Sequence, residues 1–483
     1  MKASTQYYFI LLFAVTAYFV GSKYLFDKIY DTTTTVIDEQ FHIPQGLEYC
    51  KGNFSYWDPK ITTLPGLYLV STAALYNYFP CTTYSLRFIN LLASCVNLML
   101  FGSILRYIYS LANEKPSKIV LQSLNLVLLP PLYFFSHVYY TDTLSLTFLL
   151  VFSRLCFVNK YKLLILIFSI FSVLVRQTNI IWVAMLFGHK VLDLLIRTSR
   201  VFGNKYLRSP HLRSTVTYSN VIDIDKSKLQ RYYGMMDVVN AVRFHSWTSF
   251  RSVFKIMTSN DLMILLTHAI PILGFISFVY FNGSIVVGDK SAHQATIHVP
   301  QLFYFLLFYG VFGLPYVLAK ALSTLKLMYC NKLITIILVA AMLGIVHYNT
   351  IVHPYLLADN RHYTFYIWNR WYGKYDYAKY VSVLAYIFLL FSFYDNLKDQ
   401  NCITFLLPYS VSLILVLCFQ RMIEVRYFLM PYVIAKLRFA RPPYKVVLFE
   451  FVWFSLINAA TLHIFFNKEI YWKDFDYAQR IIW

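Results

Sequence analysis

Charge is scarce in this sequence. Only 14% of its 483 residues are Asp, Glu, Lys or Arg, and 58% are hydrophobic, whereas soluble domains carry roughly 25% charged residues. No soluble core absorbs that much apolar surface, so lipid must solvate most of the chain. Acids are scarcer still, 23 against 43 Lys and Arg. Cysteine is sparse as well: seven residues, with no CxxC or Cys/His metal spacing. Cys95, Cys156 and Cys418 fall inside apolar runs, where a thiol behaves as a small hydrophobe. Only Cys50 and Cys81 stand where a disulfide is expected. A P-loop, a Rossmann glycine fingerprint, HExxH and GxSxG are all missing, which leaves soluble nucleotide chemistry without a seat.

What is present is a series of apolar runs near the ~20 residues a helix needs to cross about 30 Å of hydrocarbon. They fall at 7–24, 88–108, 119–136, 143–158, 163–176, 179–195, 262–281, 302–319, 333–352, 379–394, 402–419, 427–437 and 446–466. The pattern predicts an all-α polytopic membrane protein with about 13 transmembrane helices (12 to 14), since open sheet edges cannot face lipid and the runs do not alternate as barrel strands do. Residues 1–483 read as one membrane domain. The run from Tyr7 to Val20 follows a single basic residue, Lys2, and has no small-x-small cleavage site, so it is expected to be a retained first span.

The net charge of +20 reflects Lys and Arg placed in loops between spans, which points to membrane orientation and not to nucleic acid. Segment 196–260 is a strongly basic loop and is predicted cytoplasmic, together with the loops carrying Lys115, Lys160, Lys320 and Arg438. Lys23 and Lys28 oppose this orientation and are outvoted. The opposite, luminal side then holds 25–87, 137–142, 176–179, 282–301, 353–378 and 420–427. Two glycosylation sequons, at Asn53 and Asn282, fall on that side.

The first luminal loop, 25–87, carries the adjacent acids Asp38 and Glu39. Neighbouring side chains point in different directions, so one can enter a cavity while the other bonds elsewhere. A carboxylate at a membrane-edge cavity suits a general base for a sugar hydroxyl; a pair of solvated loop acids or a helix N-cap has the same sequence. Trp57 beside Asp58 would offer a pyranose platform, or an interfacial-belt tryptophan. In 353–378, Arg361 and His362 stand where a lipid-linked phosphate would lie, or where headgroups bind without specificity. Arg426 either binds phosphate or pairs with Glu424. Arg176 interrupts an apolar run, as a cavity residue or a simple turn. Asp142 is a second luminal acid, in a position that often caps a helix.

Asp38-Glu39-Gln40-Phe41-His42-Ile43-Pro44-Gln45, Trp57-Asp58-Pro59-Lys60, Arg176-Gln177-Thr178-Asn179, His353-Pro354 through Asp359-Asn360-Arg361-His362-Tyr363 and Glu424-Val425-Arg426-Tyr427 together closely resemble the dolichyl-phosphate-glucose-dependent α-1,2-glucosyltransferase family of the endoplasmic reticulum. Leu64 departs from the family pattern, which would have proline there. The resemblance implies a GT-C type enzyme of the endoplasmic reticulum membrane. It would transfer glucose from dolichyl phosphate β-glucose to the diglucosylated dolichol-linked oligosaccharide, by one inverting displacement.

On this basis Asp38 is expected to be the base, with Glu39 second. Arg361, His362, Arg426 and Arg176 would hold the donor phosphate; Trp57, Asp58 and His42 would contact sugar; Asp142, Asp359 and His353 are further candidates. No residue is assigned to a metal, and the enzyme is expected to act as a monomer facing the lumen. The rivals are a GT-C mannosyltransferase using dolichyl phosphate mannose and, from another class, a lipid or solute transporter; few mid-span charges speak for the latter.

Overall fold

The computed structural model describes residues 3–76, 78–109, 114–207, 233–247, 251–290, 295–399, 401–473 and 475–483. The first apolar run extends into a helix longer than expected, α1 (Ala3–Thr32), whose outer face leaves Phe9, Leu12 and Phe13 exposed, as suits contact with lipid. Two shorter helices, α2 (Glu39–Cys50) and α3 (Gly66–Leu75), fill the 25–87 segment before α4 (Thr83–Ile108). Thr82 caps α4 by accepting the Ser85 N–H. Cys50 and Cys81 form the expected disulfide, joining the end of α2 to the approach to α4. Gly66 is required by packing: a Cβ there would lie 2.4 Å from the backbone of Leu174 and Val175.

The run at 119–136 breaks into α5 (Pro116–Val127) and α6 (Pro130–Phe135), because Pro130 and Pro131 cannot donate into a continuing helix. Next come α7 (Thr141–Val158), α8 (Lys162–Val175), a short 3-10 turn and α9 (Ile180–Leu207). Segment 196–260 is therefore not simply a loop. Helix α9 runs through its first dozen residues, and α10 (Met235–Trp247) and α11 (Arg251–Ile256) follow, with Arg200 of α9 2.7 Å from Asp237 of α10. Much of the rest of that segment lies outside the described residues.

The second half contains α12 (Ser259–Asn282), α13 (Pro300–Phe312), α14 (Leu314–Ala319), α15 (Ala321–Cys330), α16 (Lys332–Tyr348), α17 (Pro354–Ala358) and α18 (Tyr363–Ile367). It continues with α19 (Ala378–Lys398), α20 (Ile403–Leu417), α21 (Val425–Lys436), α22 (Tyr444–Asn467) and a small antiparallel pair, β1 (Glu469–Ile470) with β2 (Gln479–Arg480). Thr258 and Asp261 close α12 with a reciprocal capping box.

The all-α membrane fold stands, but the count of about 13 spans is not reproduced. Among the described residues seven helices are long and apolar enough to cross a bilayer, and an eighth arises if α15 and α16, bent by 96°, are one broken span. Helices α3, α8, α13 and α20 are apolar but have only 10 to 17 residues. At 1.5 Å per residue these fall short of ~30 Å of hydrocarbon.

The core is unusually aromatic, with Phe305, Phe308, Tyr309, Phe393, Phe428 and Tyr432 packed in one continuous cluster. Within it a buried ion pair, Lys436 Nζ to Glu450 Oε1 at 2.7 Å, is completed by Asn125 and Tyr316, each donating to Glu450 Oε2 at 2.9 Å. A buried charge pair is tolerable only when its remaining hydrogen-bonding capacity is met in this way.

Several loops meet at one end of the bundle. Val287 N–H donates to the Thr62 carbonyl and Asp289 N–H to the Pro59 carbonyl, at 3.3 and 2.8 Å. The Thr35 and Tyr477 hydroxyls are hydrogen-bonded, and Ile482 N–H donates to the Arg361 carbonyl at 2.8 Å. Segments 25–87, 282–301 and 353–378, both sequons, the disulfide and the strands after α22 thus share one end. Arg438, at the far end of α21 from Arg426, belongs to the other.

Candidate active site

Asp38 and Glu39 are adjacent in sequence and opposite in circumstance. Glu39 is fully buried and accepts from Arg87 through both oxygens, at 2.9 and 2.6 Å, and from the N–H groups of Val36 (2.9 Å) and Tyr139 (2.6 Å). Four donors meet the lone pairs of one carboxylate, so its capacity to take a proton from a ligand is occupied. Asp38 stands at the N-cap position of α2, yet its side chain makes no cap bond. It keeps 36% of its side-chain surface accessible although protein surrounds it on most sides, as expected of a group facing an opening.

The chain is held under strain to present it. Ile37, a β-branched residue, adopts φ 40°, in the left-handed region that such residues avoid. A conformation of that kind costs on the order of 1–3 kcal/mol and persists only where its surroundings over-determine it. Here Asp38 N–H donates to the Tyr140 hydroxyl at 3.0 Å, that hydroxyl donates to the Val36 carbonyl at 3.0 Å, and Glu39 grips Val36. Tyr140 is itself positioned by Asn90 of α4, whose amide donates to the carbonyls of Val138 and Tyr140.

Arg426, in the first turn of α21, meets Asp38. Its Nη2 lies 3.0 Å from Asp38 Oδ2 and 2.8 Å from Glu424 Oε2, and its guanidinium rests against Tyr140 and Phe135 at 5.2 and 5.8 Å from the ring centres. The two possibilities raised for Arg426 are thus combined, because it pairs with Glu424 and still reaches the candidate base. Burial disfavours the charged form of Asp38, but the Arg426 guanidinium outweighs it and holds the carboxyl below its usual range. Asp38 is accordingly ionised at neutral pH, the form a base requires.

Asp142 and Arg176 form a second pair beside the first. They are directly hydrogen-bonded, and Asp142 Oδ2 is buried with no hydrogen-bond partner among the described residues. Asp142 lies in the first turn of α7, whose N-cap is Tyr140, so it is not the simple cap its position suggested. Arg176 sits at the break between α8 and α9, fixed by Gln177 donating to the Thr62 carbonyl and Asn179 to Ser145 and the Ser172 carbonyl. Electrostatic coupling links Arg426 to Asp142, and Tyr427 to both arginines and Asp38.

His42 shares a 2.5 Å hydrogen bond between its Nδ1 and the Tyr68 hydroxyl. Burial drives its imidazole down to about 4 against the pull of Asp38, so it is neutral at physiological pH. Trp57 packs edge-on to Tyr68, and its indole N–H is buried without a partner among the described residues. Asp58 uses its carboxylate to accept the Lys60 N–H in a local turn, and its own N–H donates to Gln45.

Arg361 has a different setting from the one its sequence suggested. It is buried, bound in bidentate fashion to Asp359 at 2.9 and 2.8 Å, donates to Gln479 at 3.1 Å, and stacks 4.2 Å from the ring centre of Trp472. His362 pairs as a parallel bridge with Ile482, and its Nδ1 lies 3.2 Å from the Trp483 carbonyl oxygen. His353 caps α17 by accepting the Tyr355 N–H. Arg361 and Asp359 therefore clamp Trp472 and Gln479 against the loop, while His362 retains electrostatic contact with Asp38.

Sequence reasoning missed Arg87, Tyr140 and the tail residues Trp472 and Gln479. Arg87 had a usable signal, as a lone cation directly before the apolar run 88–108, where it needs a buried acid. Among the described residues, no group of three or more His, Cys, Asp or Glu is arranged to hold a metal ion.

Comparison with known proteins gives a consistent picture. The description of the DIE2/ALG10 family matches residues 32–437. A Drosophila melanogaster protein named Dol-P-Glc:Glc(2)Man(9)GlcNAc(2)-PP-Dol alpha-1,2-glucosyltransferase is 41% identical over 465 residues, covering 95% of this chain and 96% of its own. Proteins of the same name from Mus musculus and Homo sapiens are 34% identical, each covering 92% of this chain and 93% of their own. No solved structure matches.

Proposed function

This chain belongs to the DIE2/ALG10 family, and we propose that Asp38, paired with Arg426, is the base with which it transfers glucose. It is a membrane glycosyltransferase whose donor is dolichyl phosphate glucose and whose acceptor is the diglucosylated dolichol-linked oligosaccharide. The product carries the terminal α-1,2-linked glucose. The relatives' named donor is the glucosyl lipid, which speaks against the mannosyl alternative, and no observation favours a transporter.

With the glucose β-linked to phosphate, an α product requires a single displacement at the anomeric carbon. The acceptor's 2-hydroxyl oxygen forms the new bond to that carbon, its proton passes to Asp38, and the bond to the phosphate oxygen breaks with its electron pair leaving on dolichyl phosphate. The departing phosphate becomes a dianion as Asp38 becomes neutral. Arg426, bonded to Asp38 beforehand, can then turn its charge toward the phosphate. Arg176 would add positive charge on the same side. Neutral His42 and the unpartnered Trp57 indole N–H can serve sugar hydroxyls. The observation that carries this reading is the accessible, ionised Asp38 beside a neighbour, Glu39, whose lone pairs are already used.

We further propose that this end of the bundle faces the lumen of the endoplasmic reticulum. The sequons and the Cys50–Cys81 disulfide share it with Asp38, and disulfides persist in oxidising compartments.

The assay is purified enzyme given dolichyl phosphate glucose or dolichyl phosphate mannose with the diglucosylated acceptor. Glucose alone should transfer, giving an α-1,2 product; transfer of mannose at a comparable rate would overturn the donor assignment.

A further inference from the structure

A cavity of about 200 Å³ lies between α4, α7, α9, α12, α20 and α21, running from Leu146 and Trp182 to Arg438 at the end of the bundle away from Asp38. A water molecule's share of liquid is about 30 Å³, so the space is several times larger than one water. Its walls are chiefly apolar, among them Leu146, Leu150, Trp182, Met185 and Val433. A cavity so lined favours hydrocarbon over water. Its polar rim includes His189, Lys190 and Arg438.

The charge on that rim is not balanced. Lys190 and Arg197 are met by Asp193 and Asp261, at 3.3 to 3.4 Å. Arg438 lies over the rings of Phe405 and Phe157, at 5.0 and 5.7 Å from their centres, and its guanidinium has no acidic partner or hydrogen bond among the described residues. One cation, Arg438, is left over at the mouth of an apolar chamber. Helix α21 thus carries Arg426 against acids at one end and, about 18 Å away at 1.5 Å per residue, an uncommitted arginine at the other.

We propose that this cavity binds one anionic glycerophospholipid from the leaflet on the basic side, with its phosphate on Arg438 and part of an acyl chain in the chamber. A guanidinium forms charge-assisted bonds to phosphate oxygens, and an apolar chamber adds what a free phosphate could not use. The site differs from the donor site in position and in leaflet.

The test is native mass spectrometry of delipidated full-length protein in detergent, titrated with phosphatidylserine, with phosphatidylcholine or with inorganic phosphate. The wild type should hold one phosphatidylserine at least tenfold more tightly than phosphatidylcholine, and millimolar phosphate should not displace it. Arg438→Gln should lose that preference. Met185→Trp, which fills the chamber and leaves the charges alone, should lose the bound lipid and keeps the test open if Arg438→Gln does not fold. Equal retention of both lipids by the wild type, displacement by free phosphate, or unchanged phosphatidylserine binding in either folded variant would overturn the proposal.

Discussion

Arg426 Nη2 and Asp38 Oδ2 stand 3.0 Å apart although 388 residues separate them in sequence. The contact joins the first turn of α21 to the start of α2 and sets the charge of the candidate base. Arg426→Gln removes the cation that chiefly offsets burial, so the Asp38 carboxyl should rise from its depressed value. The acidic limb of kcat/KM against pH should then move to higher pH, and kcat/KM at neutral pH should fall about a hundredfold, the scale of losing a charge-stabilising donor. A lower rate with the limb unmoved would mean that Arg426 touches donor only.

Glu39 and Arg87 make the contrasting case. Glu39→Gln leaves the buried Arg87 without its counter-charge, a loss of roughly 3–5 kcal/mol for a broken buried pair. The expected result is poor accumulation and a lower melting temperature in detergent, with the fraction that folds keeping its pH profile. A stable Glu39→Gln protein without activity would instead move the base to Glu39.

Arg361 separates a clamp from a phosphate ligand. As a clamp on Trp472 and Gln479, its replacement by Ala should raise protease sensitivity between Glu469 and Trp483, and Gln479→Ala should do the same more weakly. As a phosphate ligand, Arg361→Ala would raise the KM for dolichyl phosphate glucose without affecting proteolysis. Limited proteolysis alongside donor titration distinguishes the two.

Much of this architecture is legible in the chain itself. Apolar runs and scarce charge specify helices in lipid, and the motifs around Asp38, Arg176 and Arg426 mark residues that the fold does bring together. The count of spans was not legible, because hydropathy does not register a Pro130-Pro131 break or a 96° bend at Asn331. Nor was the division between Asp38 and Glu39. It depends on Arg87, 48 residues further on, and on a backbone N–H 100 residues away. The setting of Arg361 was not legible either, because its partners Trp472 and Gln479 lie over 100 residues later in a segment with no motif of its own.

The central claim is that Asp38 takes the proton. The most direct measurement is the turnover of Asp38→Asn, purified and reconstituted with dolichyl phosphate glucose and the diglucosylated acceptor, against the wild type. Loss of a general base should lower kcat by about 10²–10⁴-fold, with the KM for donor and the melting temperature nearly unchanged. Wild-type turnover in a folded Asp38→Asn protein would contradict the account.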